Sequence, residues 1–471
     1  MLNPVNETFL AGLRAVLPPA CFRDPAPHYI EEPRGLFRGR AGVVVAPGST
    51  GEVATLLARA NAARVAVVPY GGGTGLVGGQ VGEGLVPVVL SLERMTAQRA
   101  IDRLAGTLTV EAGAILSDVQ AMARDADMLF PLSLASEGTA RIGGLLATNA
   151  GGVNVIRYGN ARDLCLGIEA VLPDGQVLHG LKGLRKDNLG YDLRHLLIGA
   201  EGTLGVITAA CLRLYPRPSD RAAALMVVQS PQAALQLLDM ARHRVGDALS
   251  AFELIARAGL EFLDAVGPDV RQPFTEKPDW MCLIELGVAQ GQSAEAGLLD
   301  LFEAAAAAGL VQDGLISQSE GQRREFWALR EAIPAANKRI GAISSHDISV
   351  PIGAIPDFLA RAPGRLADLG PLRINAFGHL GDGNLHYNVF PPEGQARADW
   401  LDRREEIKGR VHGLVHEMGG SVSAEHGVGR LKVGDLERFG DPAGLVAMRA
   451  IKVALDRNGI MNPGAVLRAD P

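Results

Sequence analysis

The stretch FGHLGDGNLHYN, residues 377–388, sets two histidines around an Asp-Gly pair. Asp-Gly flanked by apolar residues signals a two-residue type I′ hairpin, which predicts that Gly381 pairs with Asn384, Leu380 with Leu385 and His379 with His386. The two imidazoles then face each other with Cβ atoms about 5 Å apart, close enough to ligate one divalent ion. Asn388, two residues on, projects from the same face. Downstream, SAEHGVGR (423–430) puts the Glu425 carboxylate beside His426. Two imidazoles and one carboxylate with open positions suit Zn, Mn or Fe(II) and leave room for a substrate oxygen. The other histidines read as ordinary core or surface residues, because His412 and His416, though i,i+4, lack E-x-x-H framing.

A second chemistry lies in the glycines, 58 of 471 residues. PYGGGTGLVGG (69–79) directly follows an apolar run, and residues without Cβ let backbone N–H groups converge on a polyanion such as pyrophosphate. Gly73, Gly75 and Gly78 also spell G-x-G-x-x-G, with Glu93 placed where a dinucleotide fold would need its acid. That fingerprint must open a helix, whereas LVGGQVGEGLVP carries glycines and a proline there, at a cost near 1 kcal/mol per interior glycine. A coil is predicted instead. Two further blocks, from Phe130 through SEGT (136–139) to TNAGG (148–152), and GAEGTLGVIT (199–208), mix hydroxyl and amide donors with glycine.

The elements that must carry these residues follow from periodicity. GVVVAP (42–47) reads as a strand, Ser49 with Glu52 as the capping box of a helix running to about Asn61, and VAVVPY (65–70) as a second strand. Further β-branched runs fall at Val86–Leu92, Thr107–Val110, Gly167–Leu172 and Gly205–Leu214. The two prolines of YPRPSD (215–220) mark the main boundary, beyond which Ala- and Leu-rich helices alternate with strands, FWALRE (326–331) among the helices. A net charge of −6 and 21% charged residues exclude an electrostatic footprint for nucleic acid. Cys21, Cys165, Cys211 and Cys282 form no C-x-x-C pair, so buried thiols are expected rather than disulfides or a thiolate metal site. The start of the chain lacks the pattern of a signal peptide and no run reaches about 18 apolar residues. A cytoplasmic protein is expected, with peripheral contact to the inner membrane left open.

Together the blocks resemble FAD-linked oxidoreductases of the vanillyl-alcohol-oxidase or p-cresol-methylhydroxylase (PCMH) type, in the D-2-hydroxyacid dehydrogenase branch. That branch includes D-lactate dehydrogenases, D-2-hydroxyglutarate dehydrogenase and the glycolate oxidase flavin subunit. The resemblance implies an α+β fold: an N-terminal helical segment (1–36), a two-subdomain PCMH-type FAD-binding domain (37–217), an α+β substrate domain with an antiparallel sheet and the metal hairpin (218–420), and a C-terminal helical segment returning to the flavin (421–471). It carries FAD contacts onto Pro69, Gly71, Gly72, Gly73, Thr74, Gly75, Ser136, Gly138, Thr139, Gly143, Thr148, Asn149, Gly152, Glu201, Ile207 and Asn462. No histidine stands in the cradle, so non-covalent FAD is expected. It implies metal ligation by His379, His386 and Glu425, a catalytic base in His426, and substrate contacts from Asn388 and from Arg330, whose guanidinium suits a carboxylate. The 2-hydroxyglutarate enzymes tend to carry Thr and Lys where this chain has Pro334 and Ser345.

The implied reaction is oxidation of a D-2-hydroxy acid, of D-lactate or D-2-hydroxyglutarate type, to the 2-keto acid, with hydride passing to flavin N5. Electrons would leave to an electron-transfer flavoprotein, quinone or cytochrome, and a homodimer is one candidate assembly. Without the resemblance, the same histidines would also serve an NAD-dependent Rossmann dehydrogenase, a metal-dependent hydrolase or a non-catalytic metal- or flavin-binding module.

Overall fold

The structure is a computed structural model describing residues 2–84 and 86–469. Met1, Asp470 and Pro471 of the expected terminal segments, and Leu85 of the predicted coil, lie outside it. The chain divides into two compact units, one formed by Met1–Gly152, Gly159–Pro216 and Glu425–Pro471, the other by Val153–Tyr158 and Arg217–Ala424.

In the first unit a four-stranded sheet runs in the order Phe22–Arg23, Val43–Val45, Val88–Ser91, Val67–Tyr70, the last three parallel. The continuous valine run suits strands covered on both faces, and Val43 to Val45 are all buried. The helix Thr50–Ala63 begins as expected: the Ser49 hydroxyl accepts from Glu52 N–H at 3.2 Å, and the helix ends at Arg64 in the left-handed region. Residues 71–84 contain no helix, so the G-x-G-x-x-G spacing does not build a Rossmann turn here. A five-stranded antiparallel sheet follows, ordered Gln98–Asp102, Thr107–Glu111, Val206–Arg213, Cys165–Val171, Val177–Gly180. The end of the chain returns to this unit, where Val67 N–H donates to Ile460 O and Asn462 N–H to Val67 O.

The second unit is built on a seven-stranded antiparallel sheet, ordered Val311–Ile316, Asp220–Val228, Trp280–Val288, Leu249–Ala256, Arg373–Gly378, Asn384–Phe390, Ser344–Ser349. Alternation along Leu249–Ala256 sorts its two faces. Phe252 and Leu254 join the core with the helices Pro231–Val245, Ala294–Ala307, Ile355–Leu366 and Arg404–Glu417. Ala251 and Ile255 join the core with the helices Arg257–Val266 and Glu320–Ile340. The alanine run at 304–308 falls within and just past Ala294–Ala307, in keeping with the helix propensity of alanine. All four cysteines are free and buried. Among the described residues no helix is long and apolar enough to cross a membrane.

Candidate active site

The histidine hairpin forms, but not with the predicted two-residue turn. The strands are Arg373–Gly378 and Asn384–Phe390, and the ladder pairs His386 with Phe377 and Asn388 with Asn375. His379 therefore lies in a five-residue connection, where its carbonyl accepts from Asp382 N–H and Gly383 N–H. Burial outweighs local turn preference here: Leu380 is completely buried in the core, and Gly381 N–H donates to Phe252 O on the strand Leu249–Ala256. The chain leaves the ladder at Gly378, φ +148°, where a Cβ would stand 2.7 Å from Asn384 O. The register differs from expectation by two residues, and an even shift keeps every side chain on its face. His379 and His386 accordingly still meet, with ring centroids 5.6 Å apart.

Ala424 N–H donates to Asp347 O on the strand Ser344–Ser349, which fixes where the chain delivers Glu425. One ligand atom from each of His379, His386 and Glu425 lies within 4.8 Å of the others. This donor set fits a divalent ion that accepts nitrogen and oxygen ligands.

Arg330 is buried on the helix Glu320–Ile340 rather than solvated. Three donors at i, i+4 and i+7 of that helix face the sheet. Arg323 and the Trp327 indole both donate to Glu285, at 2.6 and 2.5 Å, and Arg330 Nε donates to Glu253 at 2.7 Å. Glu253 is fully buried and also accepts from His379 Nδ1 at 2.5 Å. Burial pushes its carboxyl up, but Arg330 and His379 outweigh this and hold it down at about 2. Arg330 Nη2 is buried and has no protein partner. Pro334, one turn further along, is exposed, and Ser345 pairs with Asn388 in the sheet.

In the first unit the three glycine-rich blocks converge. The loop after Val67–Tyr70 packs so closely on the second block that a Cβ on Gly72 would lie 2.2 Å from Thr139 O, and one on Gly71 would lie 3.2 Å from Gly144 Cα. Among the described residues, no N–H group from Gly72 to Gly79 donates to the protein. A run of unspent N–H groups in a half-buried loop fits a bound polyanion such as a dinucleotide pyrophosphate. The loop is held from below by side chains. Gln80 Nε2 donates to Gly75 O, and Asn462 Nδ2 donates to Gly79 O and Glu201 O. Arg430 donates from Nη1 to Gly78 O and Gly79 O, and from Nη2 to Asn462 Oδ1 and Pro463 O. Burial lowers the Arg430 pKa to about 10.

Glu201 has its own task in this network. Its carboxylate accepts from Val428 N–H and Gly429 N–H at 2.7 and 2.8 Å, and burial pushes its pKa upward against these bonds. Thr139 and Thr148 hydroxyls bond Ser136 O and Gly144 O, and Asn149 Oδ1 accepts from Arg162 N–H. Gly143, Gly152 and Ile207 are buried, Ser136 is less so, and Gly138 is exposed. Sequence reading assigned no role to Arg430, Gln80 or Glu253. Arg430 could have been noticed as the charged end of the EHGVGR run, and Glu253 as a lone acid within an apolar strand.

Glu93, the acid of the rejected dinucleotide fingerprint, is used structurally. It accepts from Tyr29 Oη and Arg23 Nε, both at 2.7 Å. Burial opposes its ionisation, yet the bonds from Tyr29 and Arg23 prevail and lower its pKa. A lowered folded-state pKa stabilises above the unfolded value, near 4.3 for Glu, and that stability disappears as pH falls through the folded value. Thermal melting between about pH 6 and 3 is expected to show a shallower acid decline in Glu93→Gln than in the parent. Parallel curves would dismiss the role given to Glu93.

Residues 41–180 match the family described as FAD binding domain, and residues 217–466 that described as FAD linked oxidases, C-terminal domain. The chain belongs to the FAD-linked oxidase family. It is 39% identical over 425 residues to D-2-hydroxyglutarate dehydrogenase of Xanthomonas citri pv. viticola, covering 89% of this chain and 88% of the relative. To the mitochondrial D-2-hydroxyglutarate dehydrogenase of Arabidopsis thaliana it is 36% identical over 439 residues, 92% and 76% of the two chains. The solved structure of p-cresol methylhydroxylase with substrate bound superposes with a TM-score of 0.76 at 16% identity, over 100% of this chain and 99% of that one. The fold is of the PCMH type.

Proposed function

We propose that the protein is an FAD-dependent D-2-hydroxyacid dehydrogenase that also uses a divalent metal ion, oxidising a D-2-hydroxy acid to the 2-keto acid and passing electrons to a separate acceptor. The observation that carries this reading is the cluster of His379, His386 and Glu425 in a chain of the FAD-linked oxidase family. The names of the relatives supply the hydroxy-acid class.

Bound without a covalent tether along the Gly71–Gly79 loop, FAD would supply the hydride acceptor, and a divalent ion on His379, His386 and Glu425 would supply a Lewis acid that lowers the substrate hydroxyl pKa. The chain's own residues do the rest. Arg330, its charge balanced by Glu253, keeps Nη2 for the substrate carboxylate, where guanidinium gives charge-assisted bonds. Asn388 orients the substrate from the face it shares with His386. His426 takes the hydroxyl proton as general base while the Cα hydride departs, so that a hydride leaves carbon and a proton leaves oxygen, two electrons and two protons in all. Pro334 and Ser345 offer no cation to a second carboxylate, so monocarboxylic and dicarboxylic acids both need trial.

The test is anaerobic addition of D-lactate, D-2-hydroxyglutarate, D-malate and glycolate to the FAD-loaded protein. At least one D acid is expected to bleach the visible flavin band, and its L enantiomer to leave it intact. A flavin that dithionite reduces but none of these acids does would contradict the reading.

A further inference from the structure

Glu253 is the one charged residue of the strand Leu249–Ala256 and is fully buried, a position a carboxylate holds only when paired. Its place follows from register. Leu254 pairs with Gly378 and Ile255 with Phe377, so continuing the ladder sets Glu253 across from His379. Alternation turns it to the face of Ala251 and Ile255, where the helix Glu320–Ile340 brings Arg330. The two carboxylate oxygens are divided between these neighbours, Oε1 to His379 Nδ1 and Oε2 to Arg330 Nε.

An ionised carboxylate only accepts, so His379 donates from Nδ1 and, when neutral, carries its lone pair on Nε2. Metal-bound histidines are commonly fixed in this way by an outer carboxylate. On the other side, Arg330 spends Nε on Glu253 and retains a buried Nη2 without a protein partner.

We propose that Glu253 is a positioning residue that serves two groups at once, holding His379 in the Nε2-ligating tautomer and orienting Arg330 toward a substrate carboxylate. The proposal rests on the metal reading given above. It requires no proton transfer by Glu253.

Two paired variants isolate the acceptor from the buried charge. In Arg330→Met/Glu253→Gln and Arg330→Met/Glu253→Met the ion pair is gone, a replacement that buried pairs often tolerate, but only the first keeps an oxygen for His379. The measurement is Zn²⁺ affinity of the full-length, FAD-loaded protein by competition with a chromophoric chelator. The glutamine variant is expected to bind Zn²⁺ about 10–100-fold more tightly than the methionine variant, the usual reach of an outer-sphere partner. Equal affinities would overturn the proposal. Should the double variants not fold, Glu253→Gln alone carries the test: one amide oxygen cannot serve both donors, and affinity is expected to fall about tenfold, whereas unchanged affinity would overturn it. His379→Ala separates the two readings. Loss of tight Zn²⁺ binding there, with equal affinities in the pair, rejects Glu253 only; retained binding rejects the metal reading and this proposal with it.

Discussion

Replacing His426 with alanine is expected to slow anaerobic flavin reduction by roughly 10²–10⁴-fold, the contribution of a positioned general base. The metal candidates His379, His386 and Glu425 are untouched by this change, as are the loop and side chains assigned to FAD. Zn²⁺ and FAD content should therefore match the parent, and the loss should fall on kcat rather than on KM, since the base acts on the reacting hydroxyl and not on the carboxylate. Rapid-mixing absorbance under anaerobic conditions reads both quantities. Flavin reduction at the parent rate, with cofactor contents unchanged, would remove His426 from the mechanism.

Arg430→Ala is expected to strip the protein of FAD and lower its melting temperature. One guanidinium satisfies four acceptors, the carbonyls of Gly78, Gly79 and Pro463 and the amide oxygen of Asn462. Gly79 O keeps the Asn462 amide and Gly78 O keeps Val81 N–H, so Pro463 O and Asn462 Oδ1 are the acceptors that lose their donor; each costs about 1–3 kcal/mol, and a loss of about 2–3 kcal/mol is expected. The loop freed in this way is the one proposed to offer its N–H groups to the FAD pyrophosphate. Arg430→Lys should rescue little, because a compact ammonium cannot span acceptors spread over the fork of a guanidinium. Flavin content after purification and a thermal melt check this. Full flavin occupancy in Arg430→Ala would show that the loop holds without its support.

Local and non-local features of this chain differ in how far they can be read from the sequence. The Ser49 cap, the valine strands and the coil after Tyr70 were legible because each depends on residues close in the chain. The hairpin shows the limit of this. Asp-Gly announced a tight turn, but burial of Leu380 drew residues 379–383 into a longer connection. The faces survived because the shift was even, so the two rings still meet although His386 pairs with Phe377 and not with His379. Glu253 was out of reach for another reason. Its partners lie 77 and 126 residues away, and nothing near it in the chain names them. Only its isolation within an apolar strand was visible. Likewise the short excursion Val153–Tyr158 packs with the second unit, where Arg157 donates to Gly287 O, and no local pattern foretold that.

The central claim is that flavin reduction by a D-2-hydroxy acid needs both the FAD cradle and the metal cluster. The direct measurement is anaerobic flavin bleaching by the active D acid in three samples of one preparation: as isolated with metal, after removal of metal by a chelator, and after Zn²⁺ is restored. Bleaching in the first, its loss in the second with FAD still bound, and its return in the third are predicted. Bleaching at an undiminished rate in the metal-free, FAD-loaded protein would contradict the account.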